Sequence, residues 1–214
     1  MKGKQGVSDF WQRVCNNSTQ LKDHINDKDK EILSHLTNVE TETKDDEKTK
    51  HTLLSLRLHF APDNDWMSNS MLEVTLDYDN AEDGSIEKVN GTEIEWLEGK
   101  DPTKKKIKKK QKHKKTGEMR TVMKTVDCQS IFSIFESRVR PEKEEGGGNT
   151  DEEDEFEEKM DMTQQMVEHF DEELVPEALS YFLNFQIEYD FGMGGEEDEG
   201  DDDRRDQHKS FHGC

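Results

Sequence analysis

Apolar residues recur often enough to close a core in only two stretches of this 214-residue chain, 9–135 and 156–191. That distribution is the tightest limit on what the chain can fold into, because burial of apolar surface is the main favourable term in folding. Residues 141–154 and those after Gly192 hold too little apolar surface to offset the entropy of ordering, so both are expected to be disordered. A single domain of residues 1–191 is expected, with a disordered linker at 140–151 and a disordered acidic tail at 192–214. At 29% hydrophobic and 38% charged, the whole lies well to the polar side of an ordinary globular chain.

Charge is segregated along the chain. Residues 1–150 hold 28 acidic against 26 basic side chains, and residues 151–214 hold 23 against 4, so nearly all of the net −21 sits in the last third. Nine lysines crowd the twelve residues 104–115. An acidic surface kept apart from one basic arm suits the holding of a cationic partner rather than catalysis. Cys15, Cys128 and Cys214 are odd in number and match no CxxC pattern, which points to a reducing compartment. No secretion signal or run of roughly 20 apolar residues is visible, so a soluble intracellular protein is expected.

The pattern of side chains predicts the elements. Ser8 is a plausible N-cap for a short helix carrying Phe10, Trp11 and Val14, and Asn26 or Asp27 for a second with Ile32, Leu33 and Leu36. Residues 39–50 read as a weak strand running into a charged loop. Residues 52–60 alternate, with Leu54, Leu56, Leu58 and Phe60 on one face, and residues 71–78 alternate with Leu72, Val74, Leu76 and Tyr78. Residues 80–90 read as a turn-rich loop, and 92–97 as extended again with Ile94 and Trp96 on one face. Residues 104–126 read as a hairpin, almost all lysine on the outgoing arm, with Met119, Thr121, Met123 and Thr125 alternating on the return. Gln129 or Ser130 opens a short helix with Ile131, Phe132, Ile134 and Phe135.

The best helical periodicity runs through Phe156, Met160, Thr163, Val167, Phe170 and Leu174, and Pro176 ends or kinks it. Residues 178–189 add a second apolar segment with Leu179, Phe182, Leu183 and Ile187. The fold class is therefore α+β: an antiparallel sheet covered on one face by helices, with a protruding basic hairpin.

No catalytic residue, metal or cofactor is expected. Asp79, Asp83 and Gly84 hint at a calcium loop, but with Gly84 as its sixth position the third is Ala81 and the twelfth Asn90, so the ligand pattern fails. His208, His212 and Cys214 have no core around them to hold a metal. Phosphate-binding loops and serine or cysteine nucleophile signatures are missing from the sequence. Phe10, Trp11, Trp96, Phe132 and Phe182 read best as core.

Five segments in order resemble the nucleosome assembly protein family of histone chaperones. Gly6-Val7-Ser8-Asp9-Phe10-Trp11 is similar to the family's Gly-Ile-x-x-Phe-Trp, with the Asn16-Asn17 pair after it. Gly91-Thr92-Glu93-Ile94-Glu95-Trp96 follows, and the lysine arm with Arg120-Thr121-Val122-Met123-Lys124-Thr125-Val126 resembles the basic hairpin. Ser130-Ile131-Phe132-Ser133-Ile134-Phe135 is similar to Ser-Phe-Phe-Asn-Phe-Phe. Leu174-Val175-Pro176-Glu177-Ala178-Leu179-Ser180-Tyr181-Phe182 resembles the Ile-Pro-x-Ala-x-x-x-Phe segment ahead of an acidic tail. Family members place a long dimerisation helix before the Phe-Trp segment, and five residues precede it here. Either a fragment or a member without that helix is therefore expected, which leaves the family's homodimer open for this chain.

The resemblance implies binding of core histones by clustered carboxylates, without ATP, in nucleosome assembly, disassembly and histone transport between cytoplasm and nucleus. The candidate residues are Asp151, Glu152, Glu153, Asp154, Glu155, Glu157 and Glu158, then Glu196, Glu197, Asp198, Glu199, Asp201, Asp202 and Asp203. The competing reading of these runs is a solvated, solubilising surface, with negative charge at a helix start also favoured by the helix dipole. Glu42, Glu73 and Glu93 are further carboxylates whose place on the surface the sequence leaves open. For the lysines Lys104, Lys105, Lys106, Lys108, Lys109, Lys110, Lys112, Lys114 and Lys115 the resemblance implies a nuclear-import signal read by an import receptor. Phosphate binding and a charged edge strand are the alternatives. Net charge argues against nucleic-acid binding by the whole chain, and no aromatic residue interleaves the lysines. An acidic nuclear adaptor that binds an enzyme or import receptor, with no histone-deposition activity, is the rival from another class.

Overall fold

Period-two alternation builds the centre of the molecule. In the computed structural model, which describes residues 7, 9–79, 85–112, 119–140 and 151–185, strand β1 is Leu36–Asp46, β2 His51–Phe60, β3 Met71–Asp79 and β4 Ser85–Gly91. Strands β5 Lys104–Lys112 and β6 Met119–Asp127 form a separate two-stranded ribbon, and β7 is Arg138–Val139. The main sheet is antiparallel throughout, in the order β1-β2-β3-β4-β7. Leu54, Leu56 and Leu58 sit opposite Leu76, Val74 and Leu72 on its inner face, all buried. The outer face is charged: Arg57 donates through Nε to Glu73 at 2.6 Å and through Nη2 to Glu42 at 3.0 Å, tying β1, β2 and β3 across the sheet.

Helix α1 is Phe10–Asn17, α2 Thr19–Lys22, α3 Asp27–Leu33, α4 Asp151–His169 and α5 Ala178–Leu183, with a 3₁₀ turn at Ile131–Phe135. Helix α3 starts with a capping box between Asn26 and Asp29, and Ser130 caps the 3₁₀ turn by accepting from Phe132 N. The two starts are joined. The buried Asp29 carboxylate accepts from Asn26 N at 3.0 Å, Ser130 Oγ at 2.7 Å and Ile131 N at 3.2 Å. In α4 the expected stripe is the packed one: Met160, Thr163 and Val167 are buried, followed by Phe170 and Leu174 in a closing π turn, Phe170–Leu174. The turn widens as Val175 N donates to Phe170 O, and Pro176, which has no N–H to continue the helix, follows.

The aromatic motif residues meet in pairs distant in sequence. Phe10 stacks on Phe182 at 4.9 Å, Trp96 meets Phe132 edge-on at 5.5 Å, and Asn17 Nδ2 donates to Tyr181 O at 2.7 Å. Phe132 is buried, and Phe10, Trp11, Trp96 and Phe182 pack partly buried against the core. Gly91 shows why glycine opens the Gly-Thr-Glu-Ile-Glu-Trp segment: a Cβ there would lie 1.8 Å from Phe135 O. Burial pushes the Cys15 thiol up to about 12, leaving it inert as a nucleophile.

Several expectations are corrected. Residues 39–50 are a strand running into a charged turn, as expected, but the strand β1 starts earlier, at Leu36, and pairs with β2 along eleven residues to Asp46. Residues 85–91, of which 85–90 were read as part of a loop, form β4; a register shift at Asp77/Tyr78 spaces its buried Ile86 and Val89 three apart and hides the alternation. Residues 92–97 keep the expected alternation of burial but form no ladder, only a bridge from Trp96 to Met67. Leu36 opens β1 rather than closing a helix, and α2 was not anticipated. The N-cap of α1 is Asp9, with Ser8 outside the described residues. Leu179 and Leu183 of α5 are 64% and 52% exposed rather than core, and Ile187 lies outside the described residues. Helix α4 begins at Asp151, inside the stretch expected to be disordered, while 141–150 and the tail from 192 lie outside the described residues.

Candidate functional site

Helix α4 has two chemically different faces because its apolar residues recur at spacings of four and three while carboxylates fill the positions between. With the first face packed on the core, Asp154, Glu155, Glu157, Glu158 and Asp161 are carried on a rigid support at the surface. Their environments differ. Glu155 pairs with Lys159 at 2.6 Å, and that ammonium holds its carboxyl below the usual range. Glu157 pairs with Arg140 at 3.0 Å. Glu158 and Asp161 are exposed and have no hydrogen-bond or ion-pair partner among the described residues. The side chains of Asp151, Glu152 and Glu153, and all of Glu196 to Asp203, lie outside the described residues.

An open groove of about 580 Å³ runs along this face. One wall is α4, with Asp154, Glu157, Glu158, Asp161 and Gln165. The opposite wall is Gln20, His24 and Gln129, and Met162 and Met166 supply apolar surface. Three segments distant in sequence meet here. Ser130, anchored to Asp29, fixes the chain next to Gln129, whose carbonyl accepts from Asn26 Nδ2 at 2.9 Å and whose Nε2 lies 3.2 Å from His24 Nδ1. Sequence reasoning identified the carboxylates up to Glu158 but missed Asp161, Met162, Met166, His24 and Gln129. The signal for Asp161 was its helical spacing from Glu157 and Glu158; nothing local marks the others.

The lysine arm rises from the edge of the same groove. Strands β5 and β6 pair from Lys104↔Asp127 to Lys112↔Met119, and a ribbon of that length extends about 30 Å at roughly 3.3 Å per residue. The side chains of Lys104, Lys105, Lys106, Lys108, Lys109 and Lys110 are all exposed, and those of Lys112, Lys114 and Lys115 lie outside the described residues. The root is held where Cys128 N donates to Thr103 O at 2.7 Å and Lys28 Nζ to Asp101 O at 3.3 Å. Gln129, the second residue after β6, already lines the groove.

Other constellations resolve into structure. Ser18 Oγ lies 2.8 Å from His169 Nε2, whose Nδ1 is 3.0 Å from Glu173, and Glu173 accepts from the Tyr181 hydroxyl. The order imitates a serine–histidine–acid triad, yet Ser18 is fully buried and its oxygen caps α2 by accepting from Leu21 N at 3.2 Å. The relay ties α2, α4 and α5 together, and burial lowers the pKa of His169. On the outer face of the sheet, ligand atoms of His51, Asp79 and Glu87 lie within 4.8 Å of one another, one nitrogen and two carboxylates that could hold a cation. His51 Nδ1 is already engaged by Asp77 at 2.6 Å. Glu42 and Glu73 share the Arg57 guanidinium and Glu42 also pairs with Lys44 at 2.9 Å, while Glu93 is exposed. His208, His212 and Cys214 lie outside the described residues.

A family model described as Nucleosome assembly protein (NAP) matches residues 1–185. Human nucleosome assembly protein 1-like 4 is 34% identical over 196 residues, covering 87% of this chain and 50% of that protein. Mouse nucleosome assembly protein 1-like 1 is 32% identical over 195 residues, covering 87% and 48%. The structure of nucleosome assembly protein 1 from Plasmodium knowlesi matches with a TM-score of 0.60 at 26% identity, over 84% of this chain and 69% of that one. The chain spans about half the length of the curated relatives it matches.

Proposed function

The chain belongs to the nucleosome assembly protein family, and from that premise we propose that it is a non-enzymatic histone chaperone that shields core histones with its carboxylates. The observation that carries this reading is the acidic face of α4, whose Glu158 and Asp161 stand unneutralised on a helix fixed by Met160, Val167 and Phe170. Charges on a packed helix attract a cationic partner without first losing backbone entropy, and they speed encounter with it. The acidic tail extends the same field by sequence.

The mechanism is competition by mass action. Histones are rich in lysine and arginine, and carboxylates that occupy those groups lower the free histone concentration and suppress disordered aggregation on DNA. Ordered DNA contacts then win the histones back, with no nucleotide consumed. Exposed ion pairs contribute about 0–1 kcal/mol each, so many must act together and affinity must fall with salt. The exposed lysine ribbon fits the role of an import signal, since its lysines are open to solvent on a sheet of its own. On that reading the protein moves between cytoplasm and nucleus with its cargo.

Light scattering of the chain mixed with core histones at about 0.15 M salt tests the proposal directly. A discrete complex that dissociates as salt rises is expected. Failure to form any complex, with the chain folded by circular dichroism, refutes it.

A further inference from the structure

We infer that His51, Asp79 and Glu87 form a site for a divalent transition-metal ion of the Zn²⁺ class, which clips strands β2, β3 and β4 together at one end of the sheet. One imidazole nitrogen and two carboxylate oxygens lie within 4.8 Å of one another. Tetrahedral ligands at about 2.0–2.2 Å from an ion stand roughly 3.4 Å apart, so closing on it asks each side chain to move by no more than about 0.7 Å.

The fold assembles this set from residues that make no motif by spacing. His51 opens β2 and is the register partner of Asp79 at the end of β3. Glu87 arrives by a bulge: Asp77 pairs with Lys88 and Tyr78 with Ile86, which leaves Glu87 as the extra residue of β4. Bulges re-aim side chains, and this one sets Glu87 beside His51 and Asp79 while Ile86 and Val89 stay buried.

The donor set selects the ion. Calcium and magnesium take oxygen ligands, whereas zinc takes imidazole nitrogen together with carboxylate oxygen, and three protein ligands leave its fourth position to water. The imidazole is also oriented. His51 Nδ1 lies 2.6 Å from Asp77 Oδ1, and a carboxylate on one ring nitrogen fixes the ring and strengthens the other nitrogen as a ligand. That assigns Nε2 to the ion and gives Asp77 the task of holding the ring. The side chains of His51 and Asp77 are only 26% and 23% exposed, and Asp77, Asp79 and Glu87 all act on the ring with negative charge that a dication offsets.

The test uses the full chain without histones and the metal ions alone, so it is independent of the chaperone reading. Competition against a chromophoric chelator should show one Zn²⁺ site per chain that is much tighter than any other. Its affinity should fall about 100-fold in His51→Ala and about tenfold in Glu87→Gln or Asp77→Asn. Zn²⁺ should raise the melting point above the metal-free value, and Ca²⁺ or Mg²⁺ at the same concentration should not. His208→Ala with His212→Ala, which removes the tail imidazoles, should leave the tight site in place. Loss of that site in the tail variant overturns the inference in favour of the tail. Equal Zn²⁺ affinity in Glu87→Gln and wild type, or equal stabilisation by Mg²⁺ and Zn²⁺, overturns it in favour of diffuse charge. A wild type with no tight Zn²⁺ site overturns it outright. Should His51→Ala fail to fold, Glu87→Gln decides, since that side chain is exposed.

Discussion

Removing the Asp29 carboxylate should cost the fold more than any other single polar change on α3, because one buried group starts two elements. Its oxygens accept from Asn26 N, Ser130 Oγ and Ile131 N at 3.0, 2.7 and 3.2 Å. Asp29→Ala deletes both acceptor oxygens, and with them three hydrogen bonds, and strands Ile131 N in the interior, where an unsatisfied donor costs about 1–3 kcal/mol. It also removes half of the capping box of α3, worth about 1 kcal/mol, and frees the Ser130 hydroxyl that caps the 3₁₀ turn. Relief from keeping a carboxylate dry returns part of this, so a net loss of about 3–4 kcal/mol is expected. Burial pushes the Asp29 carboxyl up toward its neutral form. Asparagine keeps one of the two acceptor oxygens and the shape of the group, so Asp29→Asn should cost less, about 1 kcal/mol. Urea unfolding with an unchanged slope measures both, and the alanine variant should melt about 10 °C lower. A loss below about 1 kcal/mol for alanine, or equal losses for alanine and asparagine, would refute this account of the joint.

Three further outcomes follow from other parts of the fold. Gly91→Ala should destabilise by about 3 kcal/mol or more, since the new methyl meets the backbone at Phe135 O and one element must move; a melting point within a degree or two of wild type would show that this approach is slack. His51 has its pKa raised above 6.5, chiefly by its hydrogen bond to Asp77 and then by the charges of Asp77, Asp79 and Glu87. A raised folded value means its stabilisation is fully present below pH 6.5 and is lost as pH rises through the folded value, so the melting difference between wild type and His51→Gln should shrink from acid to alkaline pH. A difference that grows with pH contradicts that sign. Replacing the lysines of β5 by serine should abolish nuclear accumulation of a fluorescent fusion yet leave the melting point nearly unchanged, because the ribbon is a sheet of its own; a large drop in stability would make the arm structural.

The elements that could be read along the chain are those whose period is carried by side chains. Leucines at every second position in β2, and apolar residues at fours and threes in α4, state which face is inward whatever packs against it. The elements that were misread depend on a neighbour. Strand β1 continues through Glu42 and Asp45 because β2 supplies backbone partners. Strand β4 hides its alternation because it bulges at Glu87 opposite Asp77 and Tyr78 of β3, which leaves it only two buried residues. Residues 92–97 have the pattern, but their neighbour is only the short stretch 66–68, so they form a single bridge and no ladder. Leu179 and Leu183 have the composition of core and no described element to cover them.

The carboxylates and lysines of the candidate site were legible one by one, since charge is a property of each residue. Which carboxylates remain available was not, because Arg57 and Arg140 reach Glu42, Glu73 and Glu157 only through the sheet and the packing of α4. By itself the sequence determined the segregation of charge, the central strands, the acidic helix and the basic arm. Only the tertiary structure decided that Gln20, His24, Gln129 and Met166 line one groove, and that Gln129 brings the root of the lysine arm to it. The reason is physical: composition sets how much charge and apolar surface a chain carries, while closing the core selects which distant surfaces become neighbours.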